Sequence, residues 1–201
     1  ACSCLKEGSR LQGGFFHRYV LGLYEVIRRI TENNPSVLFE GCSSGGNRFD
    51  LGMLELMPQI WTSDNTDPNE RIAIQQGTSY GYPLSTMGAH VSASPNHQTL
   101  RDTSIETRFN VACFGLLGYE IDVTKLTSAE KKAVRKQIGF YKEHRELFQF
   151  GTFSRISDGN DNHVIWQVTS KDRKKAAVMI YQRLAEPNSS GDILKAVGLL
   201  E

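Results

Sequence analysis

The chain has 201 residues, of which 39% are hydrophobic and 22% charged, with a formal net charge of +1. This is the balance of an ordinary globular protein of one domain, or one domain with part of another, and it excludes a disordered, highly charged chain. It also excludes a strongly basic nucleic-acid binder, and no stretch reaches the roughly 20 apolar residues of a bilayer span.

In chain order, apolar residues first recur at Phe16, Val20, Leu23, Ile27 and Ile30 in steps of four and three, which predicts a helix over 15–31 with one buried face. Asn33, Asn34 and Pro35 end it. Val37 to Phe39 predict a short buried strand running to Glu40 and delivering the glycine-rich turn that follows. Gln59, Ile60 and Trp61 predict a second strand, leading to a polar loop over 62–67 and a helix opening at Pro68. Met87 to Val91 predict a third, with a loop over 92–98 and a helix from a Thr103/Glu106 capping box to about Leu116. A second capping box, Thr127 with Glu130, opens a long amphipathic helix to about Phe148.

This alternation of strand and helix predicts parallel strands with helical crossovers, in part of a β/α barrel or a doubly wound sheet. Beyond Gly151 the texture changes. The alternation in 163–169 and the apolar run 176–182, joined by a turn at 170–174, predict the start of an antiparallel β domain, with 193–200 as a further strand. The expected division is an α/β part over 1–150 and a β part over 151–201. Three strands seldom stand alone, which points to an incomplete final domain.

Cys2, Cys4, Cys42 and Cys113 are too few and too irregular for a disulfide scaffold, so a reducing cytoplasm is expected. Cys2 and Cys4 have no second ligand pair at metal-binding spacing, and no metal is expected. His17, His90, His97, His144 and His163 sit in no nucleophile-elbow pattern. The short basic stretches at Lys131 to Lys136 and at 171–175 read as solvated faces.

Two loops carry the chemistry. Cys42 to Arg48 follows a predicted strand, and its glycines allow close backbone approach to a ligand. It lacks the spacing of either common phosphate-binding loop, and a tight strand-to-helix turn with a buried cysteine is the plainer reading. Trp61 to Asp67 puts an aromatic ring and two carboxylates at a strand end, the ingredients of a sugar site: a flat apolar face and a carboxyl group to protonate the leaving oxygen. Either aspartate also suits a helix cap, Asp67 the better because Pro68 follows it.

Three segments then fall together: His17 to Tyr24 (HRYVLGLY), Phe39 to Asp50 (FEGCSSGGNRFD) and Trp61 to Asp67 (WTSDNTD). In order and spacing they resemble the bacterial α-galactosidases of glycoside hydrolase family 36, and the likeness continues over nearly the whole chain. The resemblance implies a retaining glycosidase that removes terminal α-1,6-linked galactose from melibiose and raffinose-type sugars without cofactor or metal. It implies a (β/α)8 TIM barrel followed by an antiparallel β-sandwich, of which this chain holds the last barrel units and the first sandwich strands. It carries the acid/base onto Asp64, with Asp67 left a structural role. Galactose-pocket roles fall on Cys42 and Gly45, with Arg48 and Trp61 as further substrate-binding residues. The complete enzyme is expected to be a homotetramer. The family's nucleophile, an aspartate in a K-W-D motif on an earlier strand, does not occur here and is expected upstream of Ala1. Glu40, at the end of a neighbouring strand, has no family role that would let it stand in. A galactose-binding remnant without catalysis, or a parent that transfers galactose to sugars rather than to water, are the alternatives.

Overall fold

The computed structural model describes residues 12–185, 187 and 194–200. Four strands, β1 (Glu40–Gly41), β2 (Gln59–Trp61), β3 (Met87–Ser92) and β4 (Leu116–Glu120), lie side by side in sequence order as one parallel sheet. Parallel neighbours need crossover connections. Here they are α2 (Ser43–Gly46) with α3 (Leu51–Leu56), then α4 (Pro68–Thr78), then α5 (Ile105–Ala112). The described strands show none of the order reversal that marks a doubly wound sheet. Helix α6 (Ser128–Phe150) then leads to an antiparallel sheet of β5 (Thr152–Ile156), β6 (His163–Thr169) and β7 (Ala176–Gln182).

Strand alternation gives the parallel sheet two unlike faces. On one, Met87, Ala89 and Val91 of β3 are wholly buried beneath Ile105, Phe109 and Val111 of the α5 helix. On the other lie His90 and Gly88, the latter in register with Trp61 of β2. The core under the first face runs on without a break into the antiparallel sheet. Phe114 is its hinge, with ring centroids 5.3 Å from Phe148 and 5.6 Å from Trp166. Several buried polar side chains are paired here, as burial favours. Trp166 Nε1 donates to Gln76 at 2.9 Å, and Gln75 Nε2 donates to the carbonyls of Val111 and Phe114 at 3.1 and 3.2 Å.

Helix starts follow local chemistry. Asp67 caps α4 with Pro68 in its first turn, and Thr127 with Glu130 forms the expected capping box on α6. The first helix, α1 (Gln12–Asn33), contains the expected span, but only part of its apolar face is covered: Leu23 and Ile27 are half-buried, while Phe16, Val20 and Ile30 remain exposed. Among the described residues its one substantial neighbour is α3, too short to cover the whole stripe.

Four expectations are corrected. The strand over 37–39 does not form: Val37 and Leu38 are exposed, and the ladder begins at Glu40, where β2 supplies partners on one edge only. The third helix opens at Ser104, whose hydroxyl accepts from Thr107 N, instead of at Thr103, and it stops at Ala112. Leu116, read as the end of that helix, instead opens β4, which five register pairs hold against β3. Residues 194–200 are irregular instead of a strand, and Ile193 lies outside the described residues. Gln167, wholly buried, uses its side-chain amide to hold both the N–H and the carbonyl of Val197, taking the place of a ladder there. The short α3 and β5 were not foreseen.

Candidate active site

The loop 62–67 leaves the C-terminal end of β2, and the turn 42–48 leaves the C-terminal end of its neighbour β1. The two lie against each other because two glycines permit it. Gly45 and Gly46 have φ of +75° and +89°, a region that side chains strain to occupy. A Cβ on Gly45 would stand 2.7 Å from the backbone N of Asp64, and one on Gly46 would stand 2.8 Å from the carbonyl O of Thr62. Nothing flexible can yield there, since both obstacles are backbone. Gly45→Ala is therefore expected to lower stability by about 1–3 kcal/mol through left-handed strain and the clash together, read as a shifted urea midpoint.

On this bed Asp64 is exposed, and the Cys42 sulfur, also exposed, stands 3.9 Å from its Oδ1. Ser63 and Asn65, on either side, turn the loop on itself: Asn65 N donates to Ser63 Oγ at 3.1 Å, and Asp67 N to Asn65 Oδ1 at 3.1 Å. Arg48 donates to Ser43 Oγ at 3.0 Å and to Tyr19 Oη at 3.2 Å, tying the glycine turn to α1.

Beneath the loop the packing is closed. Arg71 of α4 is buried, and its guanidinium donates to the carbonyls of Ser63 at 3.2 Å and Gly88 at 2.7 Å, bridging the ends of β2 and β3. Burial pulls its pKa down to about 10, so it stays charged at neutral pH. The same guanidinium lies 4.6 Å from the Trp61 ring centroid, and the His90 ring stacks on Trp61 at 4.3 Å. Trp61 is 8% exposed, so the flat face that the sequence offers to a sugar is here occupied by protein. His90 Nδ1 in turn pairs with Glu120 at 3.2 Å.

Asp67 is wholly buried, with no exposed surface. Its carboxylate accepts from Asn69 N at 2.8 Å, from Arg101 Nη1 at 2.8 Å and from the Thr99 hydroxyl. Burial would raise its pKa, but the hydrogen bonds from Thr99 and Asn69 and the charge of Arg101 outweigh it and hold the carboxyl below its usual range. Asn96 Nδ2 donates to Thr66 Oγ1 at 2.9 Å, a second tie between the loops after β2 and β3. Only the cap on Pro68 was visible in sequence. Asn96, Thr99 and Arg101 sit in an aperiodic polar loop, and Arg71 inside a helix, with nothing local to mark them.

Glu40 makes none of these contacts. It is in register with Gln59 and accepts from the Gln59 amide. Trp61 is two residues further along, about 7 Å at the usual strand rise, and the Asp64 loop lies beyond. Cys2 and Cys4 lie outside the described residues, among which no cluster of three or more metal-ligating side chains occurs and no helix is long and apolar enough to cross a membrane. The arrangement thus presents the solvent-facing carboxyl group of Asp64 on a loop fixed from below and from both sides, where it can exchange a proton with a ligand.

The Melibiase family model matches residues 4–151. α-Galactosidase AgaA of Geobacillus stearothermophilus is 53% identical over 184 residues, 91% of this chain and 25% of that protein. The crystal structure of an α-galactosidase from Lactobacillus brevis superposes with a TM-score of 0.91 at 52% identity, covering 96% of this chain and 26% of that one. A family 36 AgaA variant solved in complex with raffinose superposes with a TM-score of 0.90 at 50% identity, covering 96% of this chain and 27% of that one. The chain thus spans about a quarter of the length of these relatives. On the extent of the family match and the closeness of these relatives, the chain belongs to the melibiase family, among the α-galactosidases of glycoside hydrolase family 36.

Proposed function

We infer that this chain is the acid/base-bearing part of a retaining α-galactosidase acting on α-1,6-linked galactose in melibiose- and raffinose-type sugars. The observation that carries this reading is the exposed Asp64 carboxyl at the C-terminal end of β2, bedded on the two glycines of the neighbouring strand's turn. In a β/α barrel the strand ends are where catalytic groups gather. The AgaA complex with raffinose supports the substrate class. On this reading residues 1–150 are the closing units of a (β/α)8 barrel and 151–201 the first strands of a β-sandwich. The exposed apolar residues of α1 are then positions that other units of the complete enzyme cover.

Retaining hydrolysis uses two carboxyl groups about 5–5.5 Å apart and two steps. In the first, Asp64 gives its proton to the glycosidic oxygen as that bond breaks, while an aspartate from the remainder of the enzyme attacks the anomeric carbon. In the second, Asp64, now a carboxylate, takes a proton from water, whose oxygen displaces the enzyme carboxylate and releases galactose with its original configuration. No metal or cofactor enters either step. Cys42, Gly45 and Arg48 line or shape the pocket beside Asp64, and Trp61, packed by His90 and Arg71, forms its floor. A cytoplasmic homotetramer is the assembly we expect.

The test is the configuration of the first product. Raffinose given to the full-length protein should yield α-galactose before mutarotation, followed by proton NMR of the anomeric signal. Initial β-galactose, or no galactose at all, would sink the proposal.

A further inference from the structure

Asp64 itself makes few contacts, so what aims it must be sought in the residues that hold its loop. The link begins three positions along the chain, at Asp67. Its buried carboxylate takes Arg101 and Thr99, both from the loop after β3, as partners, and Asn96 from that loop holds Thr66. The β3 loop is itself tightly closed. Asn96 Oδ1 accepts from Gln98 N at 2.9 Å and Thr99 N at 3.0 Å, and Asn96 N donates to the Arg101 carbonyl at 2.9 Å. Leu100 takes a left-handed φ of 59° at its tip, a conformation a bulky residue holds only where its surroundings impose it. Arg71 secures the other flank through the Ser63 carbonyl, and Gly45 supports the Asp64 backbone from below. The free path of Asp64 is therefore set on one side by a pair of charged groups that touch no part of it.

We propose that the Asp67–Arg101 pair is a positioning device for the acid/base, with Arg101 clamping the loop after β2 to the loop after β3 so that the Asp64 carboxyl is held where the glycosidic oxygen will lie. This rests on the assignment of Asp64 above. Arg101 is suited to a test because its side chain is 39% exposed, its other ionic neighbour is Glu70 at 3.6 Å, and its loss leaves Asp67 bonded to Thr99 and Asn69 N. A displacement of the acid by a fraction of an ångström should show selectively. Protonation matters for a poor leaving group such as the sugar alcohol of raffinose. It matters little for a phenol acidic enough to depart as its anion, because kcat/KM then reports a first step that needs no proton.

The experiment compares Arg101→Met and Arg101→Lys with the unaltered full-length enzyme, on raffinose and on a dinitrophenyl α-galactoside. For Arg101→Met, kcat/KM on raffinose should fall on the order of 10-fold or more, while kcat/KM on the aryl galactoside stays within about 3-fold. Arg101→Lys, which keeps the charge, should recover much of the loss. Equal losses on both substrates would mark Arg101 as merely structural or as a binding group, and no loss on raffinose would remove it from the reaction; either overturns the proposal. If Arg101→Met does not fold, Thr99→Val, which removes one bond to the same carboxylate, must show the same split between substrates. Asp64→Ala is run beside them. If it keeps its raffinose turnover, the functional reading and the clamp fall together; if it shows the split and the Arg101 and Thr99 variants do not, only the clamp falls.

Discussion

Asp64→Ala is expected to lower raffinose turnover by about 10²–10⁴-fold, the range that a positioned general acid/base contributes. The loss arises in both steps, since the same carboxyl protonates the leaving oxygen and later activates water. With a dinitrophenyl galactoside the first step no longer needs the acid, and the galactosyl-enzyme should accumulate because its release lacks a base. Azide distinguishes this from a general collapse of the site. It is a small anionic nucleophile that needs no deprotonation, and the cavity left by the removed carboxyl admits it. Azide should therefore restore turnover on the aryl substrate and give α-galactosyl azide, the configuration retained because the attack comes from the face that water would use. Unchanged raffinose hydrolysis, or rescue that yields the β-azide, would show that Asp64 is not the acid/base.

Much of this centre was legible because its signals are local. Asp67 before Pro68 announces a helix start, and Thr127 with Glu130 announces another, since each satisfies orphan N–H groups within one turn. The double glycine before Asn47 announces close backbone approach, and the structure supplies what it approaches: the backbone of Asp64. Other features are decided by residues distant in the chain. Leu116, read as the end of a helix, opens a strand instead, because pairing with β3 draws Leu116 to Glu120 into the sheet. The tryptophan at the end of β2 reads as a platform for a sugar until the next strand brings His90 onto its ring. Arg71 looks like a solvated helix residue, yet it is buried and bridges two strand ends through carbonyls no sequence pattern could name.

Replacing Asp67 should destabilise the protein more than any other single change in this centre. A buried carboxylate that accepts from Thr99, Arg101 and a backbone N–H has repaid its desolvation with those three bonds, and Asp67→Ala leaves the donors facing a void. It also removes the cap of α4. Arg101 is partly exposed and can rehydrate, which places the loss below that of a fully buried pair, at about 2–4 kcal/mol. The sign of the pH dependence follows from the depressed pKa. The carboxyl starts from 3.8 in the unfolded chain and lies lower when folded, so its contribution is complete above about pH 4 and is lost as pH falls through the folded value. Urea midpoints of the full-length enzyme should thus separate widely at neutral pH. As pH falls below about 4 the unaltered protein should lose stability faster than Asp67→Ala, and the gap should narrow. A gap that stays constant through this range would mean that the stability lost with Asp67 comes from packing and capping, with no share from the charge that binds Arg101.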